Sequence, residues 1–359
     1  MTKRVMCGDV PIGGGAPISI QSMTNTDTRD IRATVEQIAR LTDRGCQIVR
    51  CAVPDEEASS ALGQIKRQTK IPLVADIHFD YRLAISAIEN GADKIRINPG
   101  NIGDEVKVKA ILSAARERGI PIRIGVNAGS LEREILQRHG KVTPEGLAES
   151  AVRAVEYMEQ MNFDNIVLSI KASDVRMNFE ACRRIASLTD HPLHIGVTES
   201  GTIDTGKIRS AVGLGALLLC GIGDTIRVSL TGDPVEEVIC AKEILKSLGM
   251  YSGGISVISC PTCGRTQVDL EVIAAAVEEE ASLMEPFRSA QGLPPLTIAV
   301  MGCAVNGPGE ARDADLGVAC GKGKGVIFQK GKPVATVHEE NIVGELMARI
   351  KGFEKGAKR

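Results

Sequence analysis

The chain has 359 residues, 43% of them apolar and 25% charged, with a formal net charge of −2. That length exceeds most single domains, and the composition is that of a packed globular protein, not a disordered or fibrous one. The near balance of charge excludes a mainly nucleic-acid-binding protein, while leaving room for local basic clusters that suit a phosphorylated small molecule.

The opening residues Met1-Thr2-Lys3-Arg4 are basic but lack the apolar run of a secretion signal. The most apolar stretch, Ala211–Ile222, is short and Gly-rich, so no membrane span is expected. Ten cysteines in so long a chain do not form a dense disulfide framework; they read as free thiols and metal ligands, and the expected compartment is the cytoplasm. Gly13-Gly14-Gly15 precedes the first strand instead of following it, the wrong context for a dinucleotide fingerprint, and reads as a flexible turn. There is no P-loop signature.

From residue 17 to about 230 one pattern repeats: a short β-branched or apolar run, polar residues at its end, then an amphipathic stretch. Strands are expected at Ile18–Ser22, Gln47–Cys51, Leu73–Ile77, Lys94–Asn98, Ile122–Asn127, Asn165–Ile170, His194–Thr198 and Thr225–Leu230. Helices are expected near Ile31–Arg44, Glu56–Thr69, Tyr81–Asn90, Glu105–Arg118, Pro144–Met161, Phe179–Thr189, Lys207–Leu219 and Pro234–Leu248. Eight such units predict an α/β chain whose residues 1–248 close into a (β/α)8 TIM barrel, with an open doubly wound sheet as the alternative. Polar residues gather at the strand ends, where barrels build active sites. They are Arg50, Asp76, His78, Arg96, Asn98, Arg123, Asn127, Ser169, Lys171, Thr198, Glu199, Arg227 and Ser229, together with Gln21 and Ser22. One arginine could simply pair with an interior carboxylate, but cations at five strand ends, helped by Asn and Ser, suit a diphosphate or similar polyanion.

After Leu248 the repeat stops and a second domain, 249–359, begins. An apolar run Ile255–Ile258 ends in Cys260-Pro261-Thr262-Cys263, a helix spans about Val268–Leu283, and Pro286–Pro295 reads as loop. A further run, Leu296–Met301, ends in Gly302-Cys303 and Asn306-Gly307-Pro308-Gly309-Glu310, so the two cysteine loops occupy equivalent strand ends. A Cys-x-x-Cys alone fits a dithiol pair, half a zinc site or half a cluster site. The third cysteine in a matched loop favours a [4Fe–4S] cluster with one iron ligated differently. Glu310 is a reachable oxygen ligand for that iron, though a glutamate is more often a surface carboxylate. The chain then runs through Gly325–Gln329 and Val334–Val337 into a helix from Glu339, with lysines in the hairpin read as a solvated face.

Taken together, several runs resemble the bacterial hydroxymethylbutenyl diphosphate synthases of the non-mevalonate isoprenoid pathway. They are Gln21–Thr26, Val74–Phe79, Arg96–Asn101, Gly125–Ser130, Thr198-Glu199, Gly221–Thr225 and the Cys303-to-Glu310 loop, and the likeness covers nearly the whole chain. The resemblance implies an iron–sulfur oxidoreductase that opens 2-C-methyl-D-erythritol 2,4-cyclodiphosphate and removes a hydroxyl from it. Two electrons would come from flavodoxin or ferredoxin. It implies a [4Fe–4S] cluster on Cys260, Cys263, Cys303 and Glu310, in a smaller α/β domain resembling a sulfite/nitrite reductase half. It also implies a homodimer in which one subunit's cluster domain caps the partner's barrel. Arg50, Arg96, Arg123, Lys171 and Arg227 would then grip the cyclodiphosphate with Asn98, Asn127 and Ser229. Glu199 would serve as acid–base group, with Asp76 and His78 positioning or protonating the carbon end. Rival readings are a radical barrel enzyme using S-adenosylmethionine, a non-catalytic iron–sulfur carrier, and a phosphate-binding barrel with structural zinc. The late, split cysteines count against the first and the cationic barrel mouth against the second.

Overall fold

The computed structural model describes residues 1–98, 105–303, 307–310 and 312–356. Its contacts divide the chain into two compact units, Met1–Leu248 and Gly249–Arg359. Among the described residues no helix is long and apolar enough to cross a membrane.

The first unit opens with a hairpin, β1 (Val5–Cys7) and β2 (Val10–Ile12), that the sequence reading did not anticipate. Val5, Cys7 and Ile12 pack on Ile48, Val74 and Val167, so the hairpin plugs one end of the sheet interior. Of the glycines after it, Gly13 and Gly14 pack closely against the N-terminal segment. Gly13 has φ +76°, and a side chain there would put its Cβ 2.3 Å from the Lys3 carbonyl oxygen.

Eight parallel strands follow: β3 (Ser19–Met23), β4 (Ile48–Ala52), β5 (Leu73–Asp76), β6 (Lys94–Ile97), β7 (Ile122–Asn127), β8 (Ile166–Lys171), β9 (His194–Ile195) and β10 (Thr225–Ile226). Their order is β8-β7-β6-β5-β4-β3-β10-β9, and a parallel bridge between Leu168 and Leu193 joins the two edges. The sheet is therefore a closed barrel, and the open doubly wound alternative falls: each strand beside its sequence neighbour leaves no switch point. β9 and β10 are shorter than expected. A Cβ on Gly196 would lie 2.4 Å from the Arg227 carbonyl oxygen, so the chains run too close there for a regular pair of side-chain-bearing strands.

Helix starts follow their caps. Asp30, Asp55, Asp80, Asp174 and Asp233 each accept an N–H from the first turn of the helix they precede. The helix expected from Phe179 begins at Val175 because Asp174 accepts from the Met177 N–H at 2.6 Å. The next begins at Ile203, not Lys207.

The second unit is a five-stranded mixed sheet ordered β11 (Ile255–Ser259), β12 (Leu296–Met301), β13 (Leu316–Gly321), β14 (Lys324–Gln329) and β15 (Lys332–His338). The helices Leu270–Ala290 and Ile342–Gly356 contribute Leu270, Val277, Ile342 and Ile350 to one core with Ile255, Ile298, Val318 and Ile327. The first of these helices continues through Pro286, where a loop was expected. Its C-terminal part is held by Arg288, whose Nε donates to the Gly253 carbonyl at 3.2 Å.

Candidate functional site

Strand alternation turns Arg50, Asp76, Arg96, Arg123, Gly125, Asn127, Ser169 and Lys171 inward, and with Thr198, Arg227, Ser229 and His78 they line a cavity of about 190 Å³ in the barrel. The cations sit deeper than strand-end positions suggest. Arg123 is the second residue of β7 and 2% exposed, and Lys171 is 8% exposed. Asn98 follows β6 at intermediate exposure but does not line this cavity, and residues 99–104 lie outside the described chain.

Asp76 is the carboxylate among these lining residues. Arg96 Nη1 donates to its Oδ1 at 3.3 Å, Arg50 Nε stands 3.8 Å from Oδ2, and His78 Nε2 lies 3.5 Å from the same oxygen. Burial opposes ionisation of Asp76. Arg50, the His78 hydrogen bond, Arg96 and Arg123 overcome that and hold the carboxyl well below its usual range. Asp76 is therefore ionised at neutral pH, with its negative charge between Arg50 and Arg96.

Two carboxylates, Asp76 in the cavity and Glu237 behind Arg227, do not offset five cations. Burial lowers Arg50 to about 10, with Arg227 and Arg96 adding to what Asp76 only partly offsets. Arg123 and Lys171 are driven well below their ordinary values, first by burial and then by neighbouring cations. Arginine keeps its proton regardless, so the strain appears as unmet demand for an anion. Two Arg123 nitrogens, Nε and Nη1, have no partner among the described residues. Gly125 leaves room for this arrangement, since a Cβ there would meet Arg96 Nε at 2.9 Å. The sequence reading missed that requirement. It also missed Met23, whose Sδ faces Arg50 Nη2 at 2.8 Å, and Glu237 behind Arg227. Glu199 is exposed and does not line the cavity, but it follows Thr198, which does, and holds φ +53°. A positive φ in a glutamate is uncommon and carries a backbone cost of order 1 kcal/mol or more.

In the second unit, β11 and β12 are parallel neighbours with Ser259 level with Val300. Their outgoing loops therefore emerge side by side. Cys260, Cys263 and Cys303 line one cavity of about 400 Å³ with Arg265, Met301 and Gly307. The Gly302 N–H donates to Cys260 Sγ at 3.2 Å, and the Gln267 N–H to the Gly302 carbonyl at 3.4 Å, tying the loops together. The Cys263 thiol is pulled down, first by the Arg265 N–H, with Thr266 and the Arg265 charge assisting. By contrast burial pushes Cys46 and Cys182 up to about 12 and Cys51 and Cys320 up to about 11, as inert core thiols. Cys7 and Cys240 are also buried, whereas Cys220 is exposed.

Among the described residues no three His, Cys, Asp or Glu side chains converge tightly enough for a single metal ion. A zinc site with Zn–S bonds near 2.3 Å needs its sulfurs within roughly 4 Å of one another. A cubane distributes its thiolates over separate irons, and three cysteines around an open cavity, with an N–H already aimed at one sulfur, fit such a cluster. Glu310 ends the short helix Gly307–Glu310, but its side chain and residues 304–306 lie outside the described part of the chain.

Comparison with known proteins matches residues 2–242 to the GcpE TIM-barrel domain and 256–352 to the GcpE protein C-terminal domain. A protein of Caldanaerobacter subterraneus subsp. tengcongensis named 4-hydroxy-3-methylbut-2-en-1-yl diphosphate synthase (flavodoxin) is 55% identical, covering 99% of this chain and 98% of its own. One of the same name from Clostridium tetani is 55% identical over 98% of this chain and 99% of its own.

Proposed function

The chain belongs to the GcpE family, and from that premise we propose that it is an oxidoreductase performing the reaction for which its relatives are named. It reductively opens 2-C-methyl-D-erythritol 2,4-cyclodiphosphate and dehydroxylates it to 4-hydroxy-3-methylbut-2-enyl diphosphate, with flavodoxin as electron donor. Two electrons enter, the tertiary carbon–oxygen bond to the diphosphate breaks, the neighbouring hydroxyl leaves as water with a proton, and a carbon–carbon double bond forms.

The observation that carries this reading is the convergence of Arg50, Arg96, Arg123, Lys171 and Arg227 on one buried cavity. The diphosphate sits among these cations, and its oxygens accept the N–H groups of Arg123 that have no partner among the described residues. Asn127 and Ser229 add neutral hydrogen bonds at the cavity wall, and Asn98 at the end of β6 assists. Asp76 keeps Arg50 and Arg96 oriented and anchors His78, which faces the carbon end. Glu199, on the rim beside Thr198, hands the proton to the departing hydroxyl. When bound, a [4Fe–4S] cluster supplies single electrons and a Lewis-acidic iron. Cys260, Cys263 and Cys303 would hold it with Glu310 as an oxygen donor, while Arg265 and the Gly302 N–H would tune the sulfurs. The enzyme works as a homodimer in the cytoplasm, and a single-chain mass by light scattering would reject the dimer.

The test is anaerobic reconstitution with iron and sulfide, then turnover of the cyclodiphosphate with reduced flavodoxin, followed by phosphorus NMR. Conversion of the cyclic to the linear diphosphate is expected. Iron-loaded protein that leaves the cyclodiphosphate intact overturns the reading.

A further inference from the structure

Glu237 lies in the helix Pro234–Ser247 outside the barrel, yet it is only 4% exposed and is not among the residues lining the cavity. Its two carboxylate oxygens serve three separate parts of the barrel wall. Ser22 Oγ donates to Oε2 at 3.0 Å, and the Leu230 N–H donates to Oε1 at 3.0 Å. Arg227 presents a fork to the same group, with Nη2 at 3.4 Å from Oε1 and Nε at 3.5 Å from Oε2. The remaining Arg227 nitrogen, Nη1, faces Met23 Sδ at 3.8 Å.

Arg227 and Ser229 both line the cavity, and Leu230 follows Ser229 directly. One buried carboxylate thus holds the guanidinium of the first and the backbone beside the second. A free arginine has many rotamers to lose on binding an anion, and a fork fixed from behind has already lost them. The helix also carries Asp233, whose side chain caps its first turn and meets Arg40 on the surface, so the cap is separate from the Glu237 contacts.

We propose that Glu237 is a positioning residue for the diphosphate grip, fixing the Arg227 guanidinium and the Ser229–Leu230 backbone before substrate arrives. This rests on the diphosphate reading of the barrel cavity. Glu237→Gln separates the roles. The amide keeps the size of the side chain, retains a carbonyl for the Leu230 N–H, and can still pair with the Ser22 hydroxyl. It sets an N–H donor against Arg227 Nε and so breaks half of the fork.

The experiment measures steady-state kinetics of the holoenzyme, thermal midpoint, and binding of inorganic pyrophosphate for Glu237→Gln, Glu237→Asp and Arg227→Ala. For Glu237→Gln, KM for the cyclodiphosphate rises about tenfold, kcat stays within about twofold, pyrophosphate binding weakens in parallel, and the thermal midpoint falls but stays well above the assay temperature. Glu237→Asp, one methylene shorter, shows the same split at about threefold and carries the test should the glutamine variant not fold. Weakened binding in Arg227→Ala with parent-like or tighter binding in both Glu237 variants overturns the positioning role and leaves the diphosphate reading standing. Parent-like pyrophosphate and substrate binding in all three variants overturns the diphosphate reading itself.

Discussion

Inside the barrel, Arg123 is 2% and Lys171 8% exposed, hard cations held beneath the surface with Asp76 as the carboxylate beside them. At the ends of β11 and β12 in the second unit, Cys263 is exposed while Cys260 and Cys303 are half-buried, soft donors around a wider cavity. The first arrangement stores charge repulsion and desolvation that Asp76 and Glu237 offset only in part and a bound anion would relieve further. The second stores little, because loop thiols near water cost little to expose, and its order depends on what the sulfurs hold. A site preorganised by strain and a site organised by its ligand should respond differently to the same kind of perturbation.

The largest effect is expected in the second unit. Cys303→Ala should abolish incorporation of a four-iron cluster under anaerobic reconstitution while leaving pyrophosphate binding at the barrel unchanged. Iron and sulfide analysis at parent stoichiometry would remove Cys303 from the ligand set. In the barrel, Lys171→Met should weaken pyrophosphate by roughly tenfold to a hundredfold, the worth of one charge-assisted hydrogen bond at about 1.5–3 kcal/mol. Calorimetric affinity within threefold of the parent would count against the grip.

Titration sharpens the contrast. Lys94 is fully buried one layer below the cavity-lining cations, and burial lowers it to about 8. Above that value the folded protein loses the proton while the unfolded chain keeps it up to about 10.4, so the unfolded state binds more protons and stability rises with pH. The unliganded protein should gain about 1 kcal/mol per pH unit between pH 8 and 10 from this group, a slope that Lys94→Met removes. Identical slopes for parent and variant would refute it. The smallest effect is expected outside both sites. Asp174→Ala removes a helix cap and should lower stability by about 1 kcal/mol in a denaturant titration, without altering pyrophosphate binding.

The barrel was legible because its signal repeats: β-branched runs such as Ile122–Asn127 recur at one spacing, and each inward side chain falls on the strand's period of two. Helix starts were less so, since the capping aspartate outranks the apolar pattern, as Asp174 does before Val175. The cations could be named from sequence but their depth could not, because depth depends on where along its strand each one falls, and Arg123 is the second residue of β7 rather than a residue at its end. Gly125 and Glu237 left no local trace. The first matters through a side chain on another strand, and the second through a wall it reaches from behind. The hairpin Val5–Ile12 was too short for periodicity to reveal, and its meaning lies in the Ile48, Val74 and Val167 side chains it covers.

The claim that the barrel cations exist for an anion and not for the fold is tested most directly at Arg123, the deepest of them. Arg123→Met keeps the side chain's bulk and removes its charge. The account predicts opposite signs in one pair of measurements: the unliganded protein becomes about 1–3 kcal/mol more stable in a denaturant titration, while pyrophosphate affinity falls at least about tenfold. A variant that is less stable yet binds pyrophosphate as the parent does would show Arg123 to be part of the fold's own support, and would contradict the account.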